Sequence, residues 1–173
     1  LVNAVSLTRR VEQLFDSNGP LARRWPRYER RASQVELSVE IARAIERGGV
    51  MLAEAPTGVG KSLAYLAPAV LHALESGRRV VVATCTRSLQ DQLVERDLPA
   101  LLGALDASVS HARLKGKQNY VCPRALDLEE ASAADEAELL EALRRWAAVD
   151  PEGDLDRFAA TDPEGFRRMR SRV

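Results

Sequence analysis

The chain has two cysteines, two histidines and no net charge, with 25 basic residues against 25 acidic ones over 173 positions. Cys85 and Cys122 lie far apart with no export signal ahead of them, which excludes a disulfide framework and leaves thiols or metal ligands. His72 and His111 have no partners at metal-ligand spacing and read as ordinary histidines. A neutral balance supplies no global field that would advertise a nucleic-acid partner. No stretch approaches the roughly 20 apolar residues of a membrane helix, and Leu1-Val2-Asn3-Ala4 lacks the charged-then-apolar layout of a secretion signal. The expectation is a cytoplasmic protein with no membrane partner. Because the first residue is not methionine, the chain is also expected to be a piece of a longer protein.

What is present is the balance of a globular chain, 46% hydrophobic and 29% charged. Charge is unevenly placed. Arg23, Arg24, Arg27, Arg30 and Arg31 crowd one segment, acidic residues from Asp127 to Glu141 another, and arginines from Arg167 to Arg172 the end. Such runs read first as solvated surface.

One motif carries chemistry directly. Ala55-Pro56-Thr57-Gly58-Val59-Gly60-Lys61-Ser62 follows the apolar run Val50-Met51-Leu52-Ala53 and opens the apolar stretch Leu63-Ala64-Tyr65-Leu66. Strand, glycine-containing loop and helix in that order make a phosphate site, because the glycines let successive N–H groups turn inward beside a helix N-terminus. Lys61 is expected to reach the β- and γ-phosphates of ATP and Ser62 to ligate Mg²⁺. Ala55 stands where the strict pattern has its first glycine.

The periodicity predicts a short leading helix over 8–15. A second helix, opened by a Ser33/Glu36 capping box, runs to Gly48-Gly49, and a third from Lys61 to Ser76 is ended by Gly77 and kinked at Pro68. Val50 to Glu54 and Val80 to Ala83 read as buried parallel strands. Strand, helix, strand implies a right-handed parallel unit. Leu89 to Leu102 reads as helix with a break at Pro99, and Ala134 to Val149 as a helix with Leu139, Leu140, Leu143 and Trp146 on one face, Trp146 packing rather than lining a path.

Upstream of the loop, Tyr28 and Gln34 place an aromatic and an amide at a helix start; an amide can match the amine and ring nitrogen of adenine, and can equally be plain surface. Downstream, Thr84, Thr86, Arg87 and Ser88 lie where open α/β sheets bind ligands. They suit a sugar-phosphate track, and they suit helix capping as well.

Together these segments resemble the first motor domain of superfamily-two helicases, and within them the iron-sulfur branch of XPD-type, DinG-like and YoaA-like enzymes. Tyr28 to Gln34 resembles the adenine-sensing Q motif, with Arg30 and Ala32 where prolines are common. Ala55 to Ser62 resembles motif I, and Thr84 to Leu93 resembles motif Ia. Lys115-Gly116-Lys117-Gln118-Asn119-Tyr120-Val121-Cys122 is similar to the lead-in to the branch's first cluster cysteine. The resemblance implies nucleotide binding by Tyr28, Arg31, Gln34, Pro56, Thr57, Gly58, Val59, Gly60, Lys61 and Ser62, with Lys61 and Ser62 in the catalytic role. It implies contacts to single-stranded DNA from Thr84, Thr86, Arg87 and Gln92, and Cys122 as one thiolate of a 4Fe-4S cluster. Cys85, against the second strand end, reads as a small buried apolar residue.

The fold that follows is α/β, a RecA-like P-loop NTPase domain with a parallel sheet flanked by helices and the start of an inserted, mostly helical iron-sulfur domain. The divisions are 1–19, a leading helix and turn; 20–114, the first part of motor domain 1; and 115–173, the incomplete insert. A cluster takes four thiolates and one candidate is present; an Asp-Glu-Ala-His box and a second motor domain are absent. The parent is expected to be an ATP-dependent 5′ to 3′ DNA helicase in repair, and this segment to bind ATP weakly without turning it over. The rivals are a nucleic-acid-binding module with a vestigial nucleotide site and a P-loop small-molecule kinase.

Overall fold

The computed structural model describes residues 5–158, 160 and 162–173. The opening Leu1–Ala4 segment, considered above for a secretion signal, lies outside them. The chain divides into two units, one up to Arg113 and one from Leu114 to Val173, each with its own apolar core.

In the first unit, helix α1 spans Leu7–Leu14, where the Ser6 hydroxyl accepts the Arg9 N–H and Leu7, Val11 and Leu14 bury one face. Helix α2, Pro20–Arg24, opens on the residue whose missing N–H costs nothing in a first turn. Helix α3, Ala32–Arg47, buries Val35, Val39 and Ala42 and stops at Gly48. Helix α4, Lys61–Ser76, begins at the phosphate loop, runs through the buried Pro68 and ends on Gly77 in the left-handed region. The Thr8 hydroxyl donates to Glu46 at 2.7 Å and Arg10 pairs with Glu75, so α1 is tied to the end of α3 and to α4. The bond from Thr8 holds the Glu46 carboxyl below its ordinary range. Phe15, Leu21, Leu71 and Leu101 are fully enclosed, each contributing roughly 1.5–3 kcal/mol.

Helix α5, Arg87–Gln92, passes into a π turn, Leu93–Asp97, and then into α6, Leu98–Leu105. The break expected at Pro99 is therefore a widening. Proline has no N–H for the carbonyl four residues back, and the wider turn just ahead of it absorbs the mismatch without ending the helix.

The second unit carries α7 (Pro123–Leu128), α8 (Ala134–Ala147) and α9 (Pro163–Met169), with 3-10 turns at Lys117–Asn119 and Leu155–Arg157. Leu139, Leu140 and Leu143 of α8 pack with Leu126, Phe166 and Met169. Trp146 packs as expected, its ring 5.4 Å from that of Phe158.

Two further expectations about the elements need correction. Segments 50–54 and 80–83 form no ladder; among the described residues the β pairing is an isolated antiparallel bridge between Tyr120 and Asp154. Val50, Leu52 and Val81 are 102%, 99% and 83% exposed, the opposite of buried strands. A β-branched run becomes a strand only against a neighbouring strand and a covering layer, and these residues have neither. The capping box is also absent: Arg31 is the N-cap of α3, with no side-chain cap bond, so Ser33 lies inside the helix. Among the described residues no helix is long and apolar enough to cross a membrane.

Candidate nucleotide site

The phosphate loop owes its shape to two glycines. Gly58 and Gly60 both have φ of 85°, a region that favours glycine, and Gly60 is the N-cap of α4. Two side chains from the start of α3 then hold the loop. Gln34, in the first turn of α3 and only 6% exposed, donates its Nε2 to the Gly60 carbonyl at 2.9 Å. Arg31, the residue before α3, donates Nη1 to the Gly58 carbonyl at 2.8 Å. The fit is close: a Cβ at Gly60 would meet Gln34 Nε2 at 2.1 Å.

These two bonds orient donors as well as bind carbonyls. No peptide bond is cis among the described residues. Pinning the carbonyls of Gly58 and Gly60 therefore points the N–H groups of Val59 and Lys61 to the opposite side of their planar units. N–H groups fixed in this way beside a helix N-terminus favour phosphate oxygens. Lys61 Nζ donates to the carbonyls of Ala55 and Pro56 at 2.8 and 3.2 Å, so the ammonium folds back over its own loop. Ser62 is half-buried in the first turn of α4, and Pro56 and Thr57 are exposed. An open cavity of about 690 Å³ adjoins Lys61 and Ser62, with apolar walls from Ile41, Ile45, Met51 and Tyr65. Those walls do not suit a phosphate chain.

The structure thus brings Arg31 and Gln34 to Gly58 and Gly60, across 27 and 26 residues of sequence. Tyr28 is placed otherwise. Its hydroxyl donates to the Phe15 carbonyl at 2.9 Å, its ring meets Trp25 edge-on, and burial raises its pKa. In the Thr84 to Gln92 segment the capping role is realised: the Thr86 hydroxyl accepts the Leu89 N–H at 3.3 Å and Thr84 donates to the Thr86 carbonyl at 3.2 Å. Gln92 donates to the Asp97 carboxylate at 2.8 Å, and Arg87 is exposed. Cys85 is exposed, which corrects its reading as a buried residue, since the strand it was to lie against does not form.

In the second unit Cys122 is the exposed N-cap of α7. Among the described residues no three His, Cys, Asp or Glu side chains are grouped to hold a metal. A feature that sequence reasoning missed lies just upstream. The Lys115 side chain is 4% exposed, and its ammonium meets Asp154 at 2.7 Å and Asp156 at 2.8 Å. Burial alone would lower the Lys115 pKa, but the bonds to Asp154 and Asp156 outweigh it and raise it. Asp156 is lowered to about 2, first by the bond from Lys115, against burial, and then by Arg170. The sequence signal was thin: two aspartates two apart after Gly153, some forty residues from the lysine they serve.

Comparison with known proteins places the chain in a family. The model for the DEAD/DEAH box helicase family matches residues 37–127, more than half of the chain, including the phosphate loop, the Thr84 to Gln92 segment and Cys122. The ATP-dependent DNA helicase YoaA of Haemophilus influenzae is 35% identical over 148 residues, 83% of this chain and 22% of that protein. YoaA of Escherichia coli is 37% identical over 145 residues, 82% of this chain and 22% of that protein. The ATP-dependent helicase DinG of Mycobacterium tuberculosis is 46% identical over 97 residues, 54% of this chain and 15% of that protein. The chain thus spans about a fifth of the length of the first of these relatives.

Proposed function

The chain belongs to the DEAD/DEAH box helicase family, and from that premise we propose that it is the nucleotide-binding beginning of a DinG-like, ATP-dependent DNA helicase that moves 5′ to 3′ on single strands in DNA repair. The observation that carries the reading is the hold of Gln34 and Arg31 on the loop carbonyls of Gly60 and Gly58, which orients the N–H groups of Val59 and Lys61. In this reading Lys61 exchanges the carbonyls of Ala55 and Pro56 for the β- and γ-phosphates, and Ser62 places Mg²⁺. Thr84, Thr86 and Arg87 meet the DNA backbone without reading its sequence.

The bare faces of Val50, Leu52 and Val81 support the rest of the fold. Further strands of the parent would pair with segments 50–54 and 80–83 and complete a RecA-like parallel sheet. On this assignment residues 20–114 begin the first motor domain and 115–173 begin an inserted domain. Cys122, an exposed thiol with its backbone fixed on both sides, fits one thiolate position of a 4Fe-4S cluster. Such a cluster takes four thiolates and, once bound, ties its ligating segments together through iron–sulfur bonds. With one candidate thiolate in this chain, the remaining three would come from further along the parent.

The test is ATP hydrolysis by the parent protein with and without single-stranded DNA. The strand should stimulate turnover, and Lys61→Ala should reduce it about 100-fold or more, because it removes a fixed charge from the transferred phosphoryl group. Turnover that ignores both the strand and the substitution overturns the proposal.

A further inference from the structure

Cys122 is presented on a stretch of backbone held from two directions. The Val121 N–H donates to the Gly153 carbonyl at 2.9 Å, and the Cys122 N–H donates to the Val173 carbonyl. Gly153 has φ of 63°, and a Cβ there would meet Val121 Cγ1 at 3.0 Å, so the close approach of these two segments favours that glycine. The segments that supply the two anchoring carbonyls also carry members of one ion network. Asp154 follows Gly153 and bridges to Tyr120, and Arg170 lies three residues before Val173.

Within the network Lys115 Nζ joins Asp154 and Asp156, and Arg170 Nη2 joins Asp156 at 2.7 Å and Asn119 Oδ1 at 3.2 Å. The Lys115 N–H donates to the Tyr120 hydroxyl at 2.8 Å, which closes the loop back on itself. The central pair, Lys115 and Asp154, is almost wholly enclosed, with side chains 4% and 3% exposed. A buried pair of this kind adds little as a generic stabiliser, but loss of either partner leaves an uncompensated charge, so it dictates one arrangement of the segments it joins.

We infer that Lys115, Asp154, Asp156 and Arg170 are positioning residues for Cys122: they lock segments 115–122, 153–156 and 170–173 together so that protein contacts fix the Cys122 backbone. The cluster part of this inference rests on the proposed role of Cys122 as an iron ligand; the fixing of its backbone does not.

The experiment has two arms. In the 173-residue chain, amide hydrogen exchange is read at Val121 and Cys122, with Leu140 and Leu143 of α8 as internal controls. Asp154→Asn should speed exchange at Val121 and Cys122 about 100-fold, and the milder Arg170→Gln about tenfold, with the α8 amides unchanged. Arg170→Lys should restore part of the protection. If Asp154→Asn fails to fold, Arg170→Gln and its rescue decide. Unchanged exchange at Val121 and Cys122, or equal acceleration in α8, overturns the inference, the second outcome marking a role in stability alone. In the parent protein, Arg170→Gln should retain iron but shift the reduction potential of the cluster, whereas Cys122→Ser should lose iron and its visible absorbance. An unshifted potential in Arg170→Gln overturns the positioning of the ligand. Iron retained in Cys122→Ser overturns the ligand reading of Cys122, separately from the exchange result.

Discussion

Gln34 and Arg31 are the residues that turn a glycine-rich bend into a donor array. The sequence placed both near the nucleotide on the strength of a resemblance, but what Gln34 touches in the structure is the Gly60 carbonyl. A lone amide offers several pairings and sequence does not choose among them; the partner lies 26 residues away and is reached only once α3 and the loop are folded together. Thr86 is the reverse case, since its capping bond is local and was legible from the helix start alone. Lys115 was legible only as part of a motif, because neither of its carboxylate partners is near it in sequence. That network has a pH signature. Asp156 has a folded pKa of about 2, against an unfolded value of about 3.9. Its contribution is fully present above the unfolded value and is lost as pH falls through the folded one. Exchange protection of the Tyr120 to Cys122 amides should therefore decline between about pH 4 and pH 2, and Asp156→Asn should abolish that dependence. A decline that survives Asp156→Asn would assign it to another group.

At the scale of elements the longer helices were readable, while the short α2, α7 and α9 and the expected strands were not. Leu7, Val11 and Leu14, and later Leu139, Leu140 and Leu143, repeat at the helical period; α1 starts at its Ser6 cap and α3 and α4 stop at Gly48 and Gly77, while α8 forms on its apolar pattern with neither device. Segments 50–54 and 80–83 had the composition of strands, but strand structure lives in the pairing, and among the described residues neither segment pairs. Pro99 was legible as a disturbance without its outcome, since a break and a π turn both answer a missing N–H. In α8, Leu143 is fully buried in the core of the second unit. Leu143→Ala should cost that unit about 2–5 kcal/mol by chemical denaturation followed through Trp146 fluorescence. A cost under about 1 kcal/mol would mean the α8 face is not the core it appears in the contacts.

At the scale of the whole molecule the chain holds a loop braced by Gln34 and Arg31 in one unit and a cysteine on hydrogen-bonded backbone in the other, and each unit has its own apolar core. The family was legible because its motifs follow one another in order along the chain; the ties that hold each motif were not, because they run between residues distant in sequence. The most direct test of the loop as a nucleotide site, its donors oriented from the start of α3, is a titration of Mg·ATP into the isotope-labelled 173-residue chain, following the amide resonances of Val59 and Lys61. Those resonances should move saturably at weak affinity, with the response lost in Lys61→Ala and the affinity reduced about tenfold in Gln34→Ala, the consequence of one lost buried hydrogen bond. Resonances that stay still on addition of Mg·ATP, or that move identically in wild type and both variants, would contradict it.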